Sequence, residues 1–417
     1  MADRIILVDV NGNFYAPTLT PAATMPMADS FGRKLLASSF NLLTTTHETP
    51  IIQVMFPYYV DTADDVIITV TGSGAVTQSA GMAVVTTGAT ANSTAIMETR
   101  RFIQYRPGQG VIARLSGFAN AVPDANGKIT AGILGAQDGF AFSYNGTALS
   151  VLHRLNTSDT FIAQASWNGD KVDGSGPSGF TWDATKGSPM AIQYQWLGVG
   201  IVNFFVYGDN GDPILIHTIK YGNAHTGVSL LNPCLPMRVE VSNGATATAR
   251  TFSCPCLTAS IYGDRGPAND HPFSGGAGNV SLSNGSETFV AAFFNKATFQ
   301  SLTNRIVIQP REFNVCANGQ RTVFNLYRRN ASTGLTATSF ANVDATNSCI
   351  QTSTAGTFTA TGWRKIKSLA VENGGNIILT PQKGELPLYP GDYWVVTATA
   401  QGNGATGGVE INWVEER

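Results

Sequence analysis

Hydrophobic and polar residues alternate along much of this chain with a period of two, and turn residues break the alternation at short intervals. Alternation of that kind places successive side chains on opposite faces of a β-strand. The plainest breaks are ten Asn-Gly pairs, beginning at residues 11, 126, 145, 168, 210, 243, 284, 318, 373 and 403. Both residues tolerate positive φ, so each pair predicts a type I′ hairpin turn. FAFSY and TALSVLHR flank Asn145-Gly146, NFFVYGD and DPILIHTIKY flank Asn210-Gly211, and MRVEVS precedes Asn243-Gly244. Helical periodicity is nearly absent. Met27–Leu42 is the one weak candidate, with Phe31, Leu35 and Leu36 on a shared face. The pattern predicts an all-β chain of tandem antiparallel β-sandwich or jelly-roll domains behind an N-terminal extension.

Changes of texture suggest the boundaries. Residues 1–93 read as an attachment region or arm. It holds strands near Ile51–Tyr59 and Val66–Val70, then a small-residue stretch, Thr71–Ser93, suited to ordering on assembly. Residues 94–262 carry most of the aromatic side chains and read as one sandwich. Residues 263–278, GDRGPANDHPFSGGAG, read as a linker, because Gly, Pro and Asp interrupt both helix and strand. Residues 279–417 read as a second sandwich, with a corner at Pro387, Pro390 and Gly391 ahead of a strand from Tyr393.

Composition narrows the function classes. Charged residues make up only 13% of the chain, about half the usual share. Hydroxyl and amide side chains replace them, which favours packing against like neighbours. The net charge of -2 argues against a nucleic-acid backbone as the main partner. The chain shows neither a membrane-spanning apolar run nor the order of a secretory signal. The five cysteines, Cys234, Cys254, Cys256, Cys316 and Cys349, are odd in number and scattered. That set suits a reducing compartment better than a disulfide framework.

The most distinctive candidate for chemistry is WNGDKVDGSGPSG, Trp167–Gly179. Asn168, Asp170 and Asp173 place side-chain oxygens near one another, as a cation- or glycan-binding loop would. Their spacing misses the calcium-loop pattern by one residue and no distant carboxylate follows at the expected place, so an exposed loop of turn formers explains them better. Trp167, Trp182 and Trp196 are candidate aromatic contacts for sugar rings, against the usual place of strand tryptophans in a core. Cys254-Pro-Cys256 lacks the second pair a zinc site needs. His217 sits at strand period in ILIHTIKY, as a packed or interfacial residue would. No acid pair stands at strand spacing across a groove, so neither catalytic residues nor a metal or cofactor is expected, and the chain reads as a non-enzyme. Met97–Gly117 clusters Arg100, Arg101, Arg106 and Arg114 with Phe102 and Tyr105. Read as a strand, it has neither face purely apolar, which suits a subunit interface.

RRFIQYRPGQGVIARLSG, QASWNGDKVDGSGPSGFTWDATK, QYQWLGVGIVNFFVY and ILIHTIKYGN, in that order, resemble a group of uncharacterised virion structural proteins of tailed bacteriophages. The ending LYPGDYWVVTATA…VEINWVEER is similar to theirs, and the likeness runs from about Met97 onward. The central region also resembles a concanavalin-like jelly roll, without the metal and sugar ligands of the legume lectins. The resemblance implies a component of a phage particle: a decoration, fibre or spike of capsid or tail, made in the host cytoplasm and acting by assembly. Its implied partners are copies of itself, with a trimer as the guess, and neighbouring capsid or tail proteins. Recognition of a host surface glycan is the alternative, and a polysaccharide depolymerase the third reading.

Overall fold

The computed structural model describes residues 48–263, 270–337, 339–382 and 384–416. The Asn11-Gly12 turn, the Met27–Leu42 helix candidate and residues 264–269 of the expected linker lie outside the described residues.

The first sandwich is built from β1 (Glu48–Met55), β2 (Val66–Thr71), β3 (Ala75–Ser79), β4 (Met82–Thr86), β5 (Thr94–Thr99), β6 (Val111–Ala119), β7 (Lys128–Leu134), β8 (Gly139–Asn145), β9 (Ala148–Leu155), β10 (Ser158–Ala163), β11 (Ser188–Tyr194), β12 (Val202–Tyr207), β13 (Pro213–Ile219), β14 (Met237–Ser242) and β15 (Thr251–Tyr262). One sheet runs β13-β12-β11-β6-β15-β4-β3, with β1 also on β15, and the facing sheet runs β10-β9-β8-β7-β14-β5-β2. Alternation decides which side chains meet between them. On β14, Met237, Val239 and Val241 enter the core, while Arg238 and Glu240 form ion pairs on the outer face. Each such apolar side chain contributes about 1.5–3 kcal/mol on burial.

This sandwich corrects the expected boundary at residue 93. β1 to β4 are members of its sheets, and the stretch expected to be an arm forms the β3–β4 hairpin and the connection that leads into β5. Small residues were a misleading sign there, because Ala83 and Val85 pack in the core while their neighbours need only cover an edge. One side of β15 serves two partners. Thr251–Cys254 pairs with β4, Cys256–Tyr262 pairs with β1, and the register toward β6 shifts between Ser253 and Cys256. Pro255 lies within that shift, and its missing N–H suits a break in the ladder.

The second sandwich contains β16 (Asp270–Ser281), β17 (Thr288–Asn295), β18 (Thr298–Phe299), β19 (Leu302–Thr303), β20 (Val307–Asn318), β21 (Thr322–Arg329), β22 (Leu335–Ala337), β23 (Ala341–Asn342), β24 (Ile350–Ser353), β25 (Gly356–Phe358), β26 (Arg364–Val371), β27 (Asn376–Leu379), β28 (Tyr393–Ala400) and β29 (Thr406–Glu416). A sheet β16-β29-β20-β27 faces a sheet β23-β24-β17-β28-β21-β26, and β18–β19 and β22–β25 form small ladders beside them. Trp394 and Trp413 fill the space between, edge-on to Phe313 and Phe293. Part of the expected linker is therefore strand. β16 pairs with nearly the whole of β29. A side chain at Gly276 would run into the Val409 carbonyl, so glycine here permits close strand approach.

The Asn-Gly turns divide into two kinds. Asn145-Gly146 and Asn210-Gly211 close the β8–β9 and β12–β13 hairpins. Asn243-Gly244, Asn318-Gly319, Asn373-Gly374 and Asn403-Gly404 instead carry the chain from one sheet to the facing sheet. None of these asparagines adopts positive φ. Adjacent positive φ angles, as type I′ turns need, occur in hairpins at Ala80-Gly81, Asn156-Thr157 and Gln300-Ser301.

Candidate functional site

The Trp167–Gly179 loop satisfies its own oxygens. Asn168 reaches across to β13, donating to the Thr218 carbonyl at 2.8 Å and accepting from the Thr218 N–H at 2.8 Å. Asp170 is buried and accepts from the Val172 and Ser178 N–H groups at 2.8 and 2.7 Å. Burial opposes its charge, but these bonds and the Ser178 hydroxyl hold its carboxyl below the ordinary range. Asp173 accepts from the hydroxyl and N–H of Ser175. The three candidates thus turn to separate partners and do not converge on a common point.

Two of the expected aromatic contacts are core residues. Trp167 and Trp182 are only 3% and 6% exposed, with their rings 6.5 Å apart. Trp167 donates its indole N–H to the Ile162 carbonyl, and Trp182 stands edge-on to Phe142. Trp196 is half-buried against Tyr105. An indole sunk between sheets cannot stack on a sugar. His217 is packed as expected, accepting from the Asn168 N–H. Cys254 is buried and Cys256 exposed; a regular pleat would put residues two apart on one face, and the register shift around Pro255 separates them.

The arginine cluster is where the structure concentrates charge. Residues 100–110 are a connection between β5 and β6, not the strand expected. They meet the second sandwich, so the contact found there joins two domains of one chain and is not the subunit interface expected. Arg100 and Asp392 form an ion pair whose side chains are 3% and 2% exposed. Burial pushes the Asp392 carboxyl up by more than Arg100 and Arg328 draw it down. Arg101 Nε donates to the Tyr389 hydroxyl at 2.9 Å, and the guanidinium carbons of Arg100 and Arg328 stand 5.5 and 5.9 Å from the Tyr389 ring centre. Asp64, in the β1–β2 connection, is shared by Arg328 and Arg364. Gln104 donates to the Arg305 carbonyl at 3.2 Å, and Arg305 donates to the carbonyls of Asn232 and Cys234 at 3.1 and 2.8 Å. Arg114 lies apart, in a two-pronged pair with Glu48 at 2.5 and 2.7 Å.

Beside this seam opens a cleft of about 570 Å³, whose lining includes Asp64, Arg101, Arg328, Arg364, Lys365 and Tyr389. Sequence reading singled out Arg100 and Arg101 and the Pro387–Gly391 corner, but not Asp64, Arg328, Arg364, Tyr389 or Asp392. No motif links them. They come from the β1–β2 connection, the ends of β21 and β26, and the turn before β28, and only domain packing brings them together.

No protein-family model matches this chain, and no curated protein matches it. Solved structures similar to it include a Shewanella oneidensis MR-1 protein of unknown function, at 10% identity and a TM-score of 0.35, covering 56% of this chain and 93% of that one. Peanut lectin is similar at 11% identity and a TM-score of 0.33, covering 50% of this chain and 97% of its own. The Ulex europaeus lectin UEA-II, solved with galactose, is similar at 11% identity and a TM-score of 0.34, covering 51% of this chain and 100% of its own. No sugar or metal site is carried over from these lectins to this chain.

Proposed function

We propose that this chain is a structural component of a tailed-phage particle, acting by assembly in contact with copies of itself and with neighbouring capsid or tail proteins. The reading rests on the resemblance of the Arg100–Gly117, Gln164–Lys186 and Gln193–Asn223 stretches to such virion proteins. The seam between the sandwiches supports it, because buried polar contacts fix the spacing of two domains that must hold a defined place in a particle. Exposed large side chains support it as well. Met55, Tyr58 and Tyr59 are 71%, 86% and 63% exposed at the end of β1 and the turn after it. Large side chains left in water so close together suit an interaction surface. The burial of Trp167 and Trp182 removes part of the support for the glycan-binding alternative.

The test is an epitope-tagged copy expressed during infection, followed by purification of particles through a high-salt density gradient. The tagged chain should band with particles at a fixed ratio to the major capsid protein and appear at symmetric positions in a reconstruction. Its absence from washed particles would refute the proposal. Light scattering of the purified chain tests the oligomer separately, with a trimer expected and a monomer at every concentration counting against it.

A further inference from the structure

We infer that the interdomain cleft is an anion-binding site, built to take an oxyanion-bearing ligand through Arg101, Arg364 and Lys365. The argument starts from charge. Arg101, Arg328, Arg364 and Lys365 line the cleft, together with Asp64, Asp65 and Glu385. Glu385 is engaged by Lys367 at 2.9 Å, outside the lining. Asp64 is one carboxylate divided between two guanidinium groups. Three arginines therefore face two remaining carboxylates, with Lys365, whose ammonium lies over the Tyr327 ring, at the rim, in a chain whose net charge is -2.

Donor capacity points the same way. The Nε of Arg101 is spent on Tyr389, and its terminal nitrogens have no acceptor among the described residues. Lys365 lies over the Tyr327 ring at 5.4 Å and likewise has no acceptor there. Arg364 is exposed and donates only to the shared Asp64. A guanidinium offers five N–H donors in a fixed fork, matched to a carboxylate, sulfate or phosphate. The volume of about 570 Å³ suits a small polar ligand, and boundaries between domains are common places for such sites. Low-dielectric walls strengthen the field on a ligand that enters.

Titration calorimetry of the full chain at low ionic strength tests this, with sulfate, inorganic phosphate and glucuronate as probes and glucose as the neutral control. Saturable binding of one anion per chain is expected, with a dissociation constant in the range of about 0.1–10 mM and no response to glucose. Response to sulfate and phosphate alone assigns a free inorganic anion, and response to glucuronate assigns a carboxylated sugar. Either supports the site. Lys365→Gln removes a cation that holds nothing in the seam, so it should weaken binding roughly tenfold with the melting temperature unchanged. Arg101→Gln should weaken it at least as much, whereas Arg321→Gln, whose guanidinium pairs with Glu372, should not. Absence of saturable binding for all three anions, or affinity unchanged in both Lys365→Gln and Arg101→Gln, overturns the inference.

Discussion

Replacing Asp392 with alanine should destabilise this protein far more than removing Asp392 together with its partner. The Arg100 guanidinium is sealed between the sandwiches, and its Nε already lacks an acceptor. Without Asp392, Arg100 keeps only the face of Tyr389 at 5.5 Å. Stranding one charge of a buried pair costs about 3–5 kcal/mol, a roughly hundred- to few-thousand-fold change in the equilibrium. The double variant Arg100→Met/Asp392→Leu strands nothing and should recover most of that loss, because burial opposes ionised Asp392 more strongly than the two arginines favour it. The sign follows from the raised carboxyl. Its contribution is complete below the ordinary value of 3.8 and is lost as pH rises through the raised one. The double variant should therefore gain on the wild type as pH rises from the acid range. Urea titration followed by circular dichroism supplies the free energies. With a slope of about 3 kcal/mol/M, the single variant's midpoint should fall by about 1 M or more. Because the two hydrophobic cores are separate clusters, calorimetry should also show the single variant's domains melting apart. A loss below about 1 kcal/mol in Asp392→Ala, or a double variant no better than the single, would refute the reasoning.

Three further outcomes follow from local geometry. Glu287 accepts from Asn325, Tyr327 and Thr397 at 2.9, 2.8 and 2.6 Å; burial opposes its charge, yet these bonds hold its carboxyl below the ordinary value of 4.5. Its stabilisation is complete above that value and is lost as pH falls through the lowered one, so Glu287→Gln should flatten the acid limb of the stability curve measured by urea titration. Asp170→Ala should cost about 2–3 kcal/mol in the same assay, since it orphans two backbone N–H groups, while added calcium should leave the wild-type melting temperature within about 1 °C. Burial raises the Cys254 thiol, so a thiol reagent should modify Cys256 and Cys316 in the native protein, and Cys254 and Cys349 only after denaturation.

The strands were legible because their cause is local. Alternation in segments such as MRVEVS and YWVVTATA sets which side chains can be buried together, and a chain with that period has few options besides packed antiparallel sheets. Glycine and asparagine also marked the turns, although they left undecided whether a turn would close a hairpin or cross to the facing sheet. That depends on where the next strand finds an unpaired edge, as the inter-sheet turn at Asn243-Gly244 and the hairpin at Asn210-Gly211 illustrate. The texture of residues 71–93 and 263–278 misled for the same reason. Small residues and glycines describe a flexible segment in isolation, but beside β29 a missing side chain is what allows Gly276 to pair.

The sequence by itself determined the all-β class, the tandem arrangement and most strand positions. Tertiary structure decided what the polar residues do. It buried Trp167 and Trp182, spent the oxygens of Asn168, Asp170 and Asp173 within their own loop, and drew Asp64, Arg100, Arg328, Arg364 and Asp392 into one seam. Burial and charge pairing depend on residues hundreds of positions apart, and no local pattern records which of them will meet.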